Sequence, residues 1–180
     1  MYEYETYDAI YKKAKYVGSA LKNLHLLAEI QEGPGKPIMN VVGIYAKNRA
    51  EWTICDMANA MYGYAMIPLY DTLGPESVSF VLGHSEIITC ICSGQSMDVL
   101  VKTNNLHKLR NIIALDDNYS KETAAGLKKK GINIISFYNL IIQGKSNKLS
   151  LPTTIQPSTV FTFSYTSGTT GNPKGAMITH

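Results

Sequence analysis

The residues best suited to chemistry stand together near the C-terminal end of the sequence, in Tyr165-Thr166-Ser167-Gly168-Thr169-Thr170-Gly171-Asn172-Pro173-Lys174-Gly175. Thr166, Ser167, Thr169 and Thr170 offer hydroxyl donors, and Lys174 adds a positive charge. Gly168, Gly171 and Gly175 let the backbone take positive φ and approach a ligand closely. Successive N–H groups in such turns form an anion-binding concavity, so a polyphosphate is the ligand these parts suit. The order is not that of the common phosphate loop, G-x-x-x-x-G-K-[ST], because Pro173 stands where a glycine is needed before Lys174. The stretch also lacks G-x-G-x-x-G and the G-x-S-x-G of a nucleophile elbow. No His and acid are placed to activate Ser167, which is expected to bind phosphate and not to act as a nucleophile. On composition alone the same residues would equally make a plain Ser/Thr/Gly turn. His180 lies close in sequence, but without an orienting partner the pattern gives little support to a general base there.

A loop of this kind needs a rigid mount. Val160 to Ser164 alternates as a strand leading into it, and Ala176 to His180 reads as a short strand leaving it. Upstream, apolar residues at helical spacing predict an amphipathic helix from Tyr7 to about Leu27. A turn-rich Gly33-Pro34-Gly35-Lys36-Pro37 follows, then a buried strand over Asn40 to Ala46. Asn48 with Glu51 three residues on resembles a cap for a helix reaching Tyr62. The alternation continues with a strand at Ala65 to Tyr70 and a helix opening at Pro75. Next come a strand at Ile87 to Cys92, a helix near Met97 to Lys102 and a strand at Asn111 to Leu115. A helix from Glu122 to Lys130 is stopped by Gly131, and a strand runs from Ile132 to Phe137. Such βαβ units predict an α/β fold, a mainly parallel sheet flanked by helices. Gly144 to Pro157, rich in Ser, Thr, Lys and Pro, reads as a surface linker.

Composition narrows the function classes. With 180 residues, 45% of them hydrophobic and 17% charged, the chain suits one soluble globular domain and excludes a disordered or collagen-like one. A net charge of +3 is too small to suggest nucleic acid as a partner. Lys128-Lys129-Lys130 reads as a solvated helix end complementing the dipole. Three cysteines and no apolar leader point to a reducing, intracellular setting, in which the Asn118-Tyr119-Ser120 sequon has little meaning. Cys90 and Cys92 fall on one face of a strand, too constrained for a disulfide, and the four histidines are scattered, so no metal site is expected. No apolar run reaches the ~18 residues of a membrane span, because Asp56, Asn59 and Gly63 interrupt the best candidate.

The run Tyr165 to Gly175 closely resembles the phosphate-binding signature of the adenylate-forming (AMP-binding) superfamily, which includes acyl-CoA synthetases, luciferases and peptide-synthetase adenylation domains. Val42-Gly43-Ile44-Tyr45-Ala46-Lys47-Asn48-Arg49-Ala50-Glu51-Trp52 and Ile67-Pro68-Leu69-Tyr70-Asp71-Thr72-Leu73-Gly74-Pro75-Glu76 are similar to segments of its long-chain acyl-CoA synthetase branch. The second run argues against an amino-acid adenylation domain. The resemblance implies a long-chain fatty acid–CoA ligase, in which a fatty-acid carboxylate attacks the α-phosphorus of ATP, pyrophosphate leaves, and the thiol of coenzyme A displaces AMP from the acyl-adenylate. It implies that Thr166, Ser167, Gly168, Thr169, Thr170, Gly171 and Lys174 hold the phosphates, Lys174 stabilising the charge that builds on the leaving pyrophosphate, with Mg2+ neutralising more.

The resemblance runs from about Tyr4 to His180, and is weaker between Gly83 and Pro157. The family's adenine- and ribose-binding elements, acyl tunnel and mobile C-terminal domain come later than any residue here. The chain is therefore read as a partial N-terminal domain of the adenylate-forming fold, expected to be inactive alone. A non-catalytic remnant keeping a weak phosphate site is the alternative. Membrane association, at the endoplasmic reticulum or elsewhere, is compatible with the branch and has no anchor in this segment.

Overall fold

The computed structural model describes residues 4–152, 155–166 and 173–180. Thr6 caps the first helix, α1 (Tyr7–Asn23), by accepting the Ala9 N–H at 3.2 Å. The helix stops short of Leu27 because the chain turns at His25, which has positive φ, and Ala28–Ile30 then forms an unpredicted strand, β1. The remaining elements are β2 (Met39–Tyr45), α2 (Ala50–Tyr62), β3 (Ala65–Leu69), α3 (Pro75–Ser85), β4 (Thr89–Cys92), α4 (Gly94–Lys102), β5 (Asn111–Ala114), α5 (Lys121–Lys129), β6 (Asn133–Ser136), α6 (Phe137–Ser146), β7 (Val160–Thr166) and β8 (Lys174–Thr179).

The strands form one sheet in the order β6-β5-β4-β2-β3-β7-β8. Its pairings are parallel except β1 with β2 and β7 with β8. β1 and β4 share one flank of β2: β1 takes Met39 to Val41 and β4 takes Gly43 to Tyr45. This is the expected α/β architecture, with helices on both faces. Alternate residues of each central strand serve opposite cores. Tyr45, Cys90, Cys92 and Ile112 face α3, α4 and α5. Ile44, Met66, Ile91 and Ile113 face α1, α2 and α6. Two buried faces explain why these strands read as unbroken apolar runs.

Cys55, Cys90 and Cys92 are free thiols inside these cores, and burial pushes Cys55 and Cys92 well above the ordinary thiol range. All three should resist a thiol reagent in the native protein and react together on unfolding. Rapid native labelling of any one would contradict this packing.

Two elements correct the sequence reading. Asn48 does not cap α2; Arg49 holds the N-cap position without a side-chain cap bond, and Glu51 turns to its guanidinium instead. A bidentate charged partner outcompetes the reciprocal capping bond. The linker expected from Gly144 begins inside α6, which Ser136 caps through the Asn139 N–H. Beyond α6, Leu149 and Leu151 pack on the core, and the Leu149 N–H donates to Ser19 Oγ at 3.1 Å. At Gly144 the α6 backbone rests directly on the carbonyl of Tyr16 in α1, leaving no space for a Cβ.

Candidate functional site

The topology leaves crevices beside the tip of β2. The helix after β2 packs on one face of the sheet, whereas those after β3 and β4, its neighbours, pack on the other. Where successive crossovers part in this way, the loops diverge and open a crevice at the carboxyl ends of the strands. On the β3 side lies a cleft of about 620 Å³ lined by Lys47, Trp52, Tyr70, Asp71, Thr162 and Ser164, among others. On the β4 side is a smaller polar cleft of about 300 Å³, lined by Asn48, Arg49, Ser93, Gln95, Asp116 and Asn118.

β7 and β3 both wall the larger cleft, through Thr162 and Ser164 on the one and Pro68 and Leu69 on the other. Their register is a single pair, Met66 opposite Thr162, reinforced by Thr162 Oγ1 donating to the Met66 carbonyl at 2.9 Å. Pro68, two residues on, is in phase with Met66 and has no N–H to extend the ladder. Within the hairpin the register runs to Tyr165 opposite Gly175 and Thr166 opposite Lys174. Thr166 and Lys174, both exposed, thus close the base of the loop side by side. Ser167, Gly168, Thr169, Thr170 and Gly171 lie outside the described residues.

Lys174 stands at the loop's end, while the clefts that the hairpin borders also carry carboxylates, Asp71 in one and Glu32 and Glu86 in another. Among the described residues no group of three or more His, Cys, Asp or Glu could hold a metal ion. His180 is at the opposite end of β8 from the loop, its N–H bonded to the Thr159 carbonyl and its ring edge-on to Phe161. Six residues of strand span ~20 Å, so sequence proximity to the loop misplaces this histidine as a base.

Two side-chain networks escaped the sequence reading. Arg49 binds Glu51 through Nε and Nη2 at 2.7 and 3.0 Å, and Asp116 through Nη1 at 2.7 Å. Asp116 also accepts the Gly94 N–H at the start of α4. The adjacent Glu51 hinted at half of this network, but Asp116 is distant in sequence. Burial pushes the Glu51 carboxyl up, yet the hydrogen bond and charge of Arg49 outweigh it and hold Glu51 below its ordinary value of 4.5. Its stabilising share is therefore present above that ordinary value and is lost as pH falls through the lower folded one. Arg49→Met should cost about 1–2 kcal/mol near neutral pH, the pair being a quarter exposed. The difference from the native protein should shrink in urea titrations at acid pH, and a constant difference would refute the assignment.

The second network is His84 of α3 with Tyr165 of β7, Nδ1 to Oη at 2.8 Å. The Tyr165 ring is buried, and burial pushes its phenol up to about 12, keeping it protonated at neutral pH.

A family model described as "AMP-binding enzyme" matches residues 1–180. The chain is 33% identical over 184 residues to the peroxisomal long chain acyl-CoA synthetase 7 of Arabidopsis thaliana, covering 99% of this chain and 24% of that protein. It is 32% identical over 182 residues to long-chain-fatty-acid–CoA ligase 1 of Cavia porcellus, covering 99% of this chain and 25% of that protein. It thus spans about a quarter of the length of these curated relatives. Among solved structures, the A domain of carboxylic acid reductase from Segniliparus rugosus, in complex with AMP and a co-purified carboxylic acid, superposes with a TM-score of 0.77 at 19% identity. That match covers 98% of this chain and 29% of the other and supports the fold.

Proposed function

The chain belongs to the AMP-binding enzyme family, and on that footing we propose that it carries the ATP-phosphate loop of a long-chain fatty acid–CoA ligase. The observation that carries this reading is the hairpin base, where Lys174 and Thr166 stand directly opposite each other beneath a loop of hydroxyls and glycines. Thr166, Ser167, Gly168, Thr169, Thr170, Gly171 and Lys174 hold the β- and γ-phosphates while the fatty-acid carboxylate is activated as its adenylate. Lys174 is the catalytic member because its ammonium meets the charge that grows on the departing pyrophosphate. Fatty acid and coenzyme A are the other substrates. Mg2+ bound to the phosphates would supply additional charge neutralisation.

The chain spans about a quarter of the length of the curated relatives it matches, so the activity is proposed of the full-length protein. No helix among the described residues is long and apolar enough to cross a membrane. Peripheral attachment, at the endoplasmic reticulum or another membrane, suits a substrate that partitions into lipid. The test is palmitate-dependent ATP–pyrophosphate exchange by the full-length protein, followed by palmitoyl-CoA formation when coenzyme A is added. ATP binding with no exchange for any fatty acid would favour the non-catalytic reading, and exchange driven by an amino acid would replace the substrate class.

A further inference from the structure

The candidate phosphate loop grows from the end of the hairpin that carries Tyr165. β7 is registered on β3 at one pair only, and Tyr165, three residues beyond it, is the last buried side chain before the loop. Its hydroxyl reaches across to His84 Nδ1 at 2.8 Å, and the two rings meet edge to face with centroids 5.8 Å apart. His84 is itself oriented by Phe80, one helical turn earlier, which stacks on it at 5.9 Å with planes 6° apart. On the other strand, Gly175 is the register partner of Tyr165, and a Cβ there would stand 3.3 Å from the phenol ring. The ring therefore lies over the strand leaving the loop while its hydroxyl is tied to a helix of the main sheet. One side chain braces both legs of the loop, immediately beneath the Thr166–Lys174 pair.

We propose that His84 is a positioning residue for ATP: through Tyr165 it fixes the orientation of the Thr166–Lys174 loop base, and it touches no substrate itself. This rests on the reading that the loop holds the phosphates of ATP. A hydrogen bond of this kind governs geometry more than stability, and a displacement of ~1 Å at a phosphate ligand is enough to slow a reaction that depends on positioning. The effect belongs to the half-reaction that uses ATP and not to acyl transfer from a preformed adenylate.

The test is a double-mutant cycle in the full-length protein, measuring the KM for ATP in pyrophosphate exchange and, separately, coenzyme A transfer from supplied palmitoyl-adenylate. His84→Leu and Tyr165→Phe should each raise the ATP KM about tenfold, the upper range for losing one hydrogen bond, and leave transfer unchanged. The double variant should be no worse than either single one, because both remove the same tie. His84→Asn, whose amide offers a donor or an acceptor near the position of Nδ1, should restore most of the loss. Tyr165→Phe retains the buried ring, so a melt within a few degrees of native would keep the result interpretable should His84→Leu fold poorly. Additive losses, equal losses in both half-reactions, or single variants indistinguishable from native would overturn the proposal. Lys174→Ala in the same assays separates the two layers. If it leaves the ATP KM and exchange rate unchanged, the phosphate reading itself fails, whereas if it slows exchange and the His84 variants do not, only the positioning role fails.

Discussion

Substituting alanine for Lys174 is expected to slow palmitate-dependent ATP–pyrophosphate exchange by about 10- to 150-fold, the equivalent of losing a charge-assisted contact of ~1.5–3 kcal/mol. The magnitude follows from where the ammonium stands. It is exposed at the first residue of β8, so burying and ordering it against phosphate is left to the ligand, and its contribution appears when the leaving group acquires charge. Transfer from supplied acyl-adenylate to coenzyme A involves no pyrophosphate and should change less than twofold. Rapid-quench measurement of the two half-reactions distinguishes these outcomes. Equal losses in both would mean that Lys174 supports the hairpin and not the chemistry. Lys174→Arg keeps the charge but changes its shape and reach, and should fall between native and alanine.

Gly144→Ala is expected to be the most destabilising of the glycine-to-alanine changes among the described residues. Considered as a helix position alone it should help, since alanine is favoured over glycine by ~1 kcal/mol within a helix. In the structure the added methyl would overlap the carbonyl of Tyr16, and that atom belongs to the backbone of α1 and cannot rotate aside. Relief requires α1 and α6 to move apart, loosening Val17, Leu21 and Leu140 in the shared core. Overpacking of this type costs ~1–3 kcal/mol when side chains can adjust, and backbone overlap belongs at or above the top of that range. A loss of about 3 kcal/mol corresponds to a fall of ~6–12 °C in the melting midpoint for a domain of this size. A raised midpoint would show that propensity dominates and that the two helices are not in backbone contact.

The contrast between these two positions shows what a sequence discloses. Lys174 stood out in the sequence because hydroxyls, glycines and a cation lie together in one stretch of chain, and the structure adds Thr166 as its register partner. The central strands were legible for a similar reason, since burial on both faces leaves a local apolar run, and Pro75 marked the start of α3 as the first residue of a helix. Gly144 was read as the start of a linker because what requires a glycine there is Tyr16, on another helix, and no local pattern reports that. β1 is only three residues long and depends on pairing with β2. The Arg49–Asp116 and His84–Tyr165 contacts join residues 67 and 81 positions apart, so each had to await the topology. Asn48 failed in the opposite sense: the local capping pattern was present, and a stronger ionic partner displaced it.

The lone register pair between β3 and β7 also bears on the order in which the protein assembles. Thr162 is 96 residues from Met66, whereas Ile44 and Pro68 in the β2–β3 pairing are separated by a quarter of that distance. Two doublings of loop length add ~1.2 kcal/mol to the entropy of closure, and a single pair returns little to offset it. The hairpin itself is local and forms in ~1–10 μs, so it can exist before it has a seat. During synthesis β1 to β6 emerge first, and the outer edge of β3 waits for a partner more than ninety residues behind it. An open edge in that interval invites pairing with the wrong chain. Pro68, which lines the cleft in the finished structure, also denies a complete set of donors to any strand that arrives before β7.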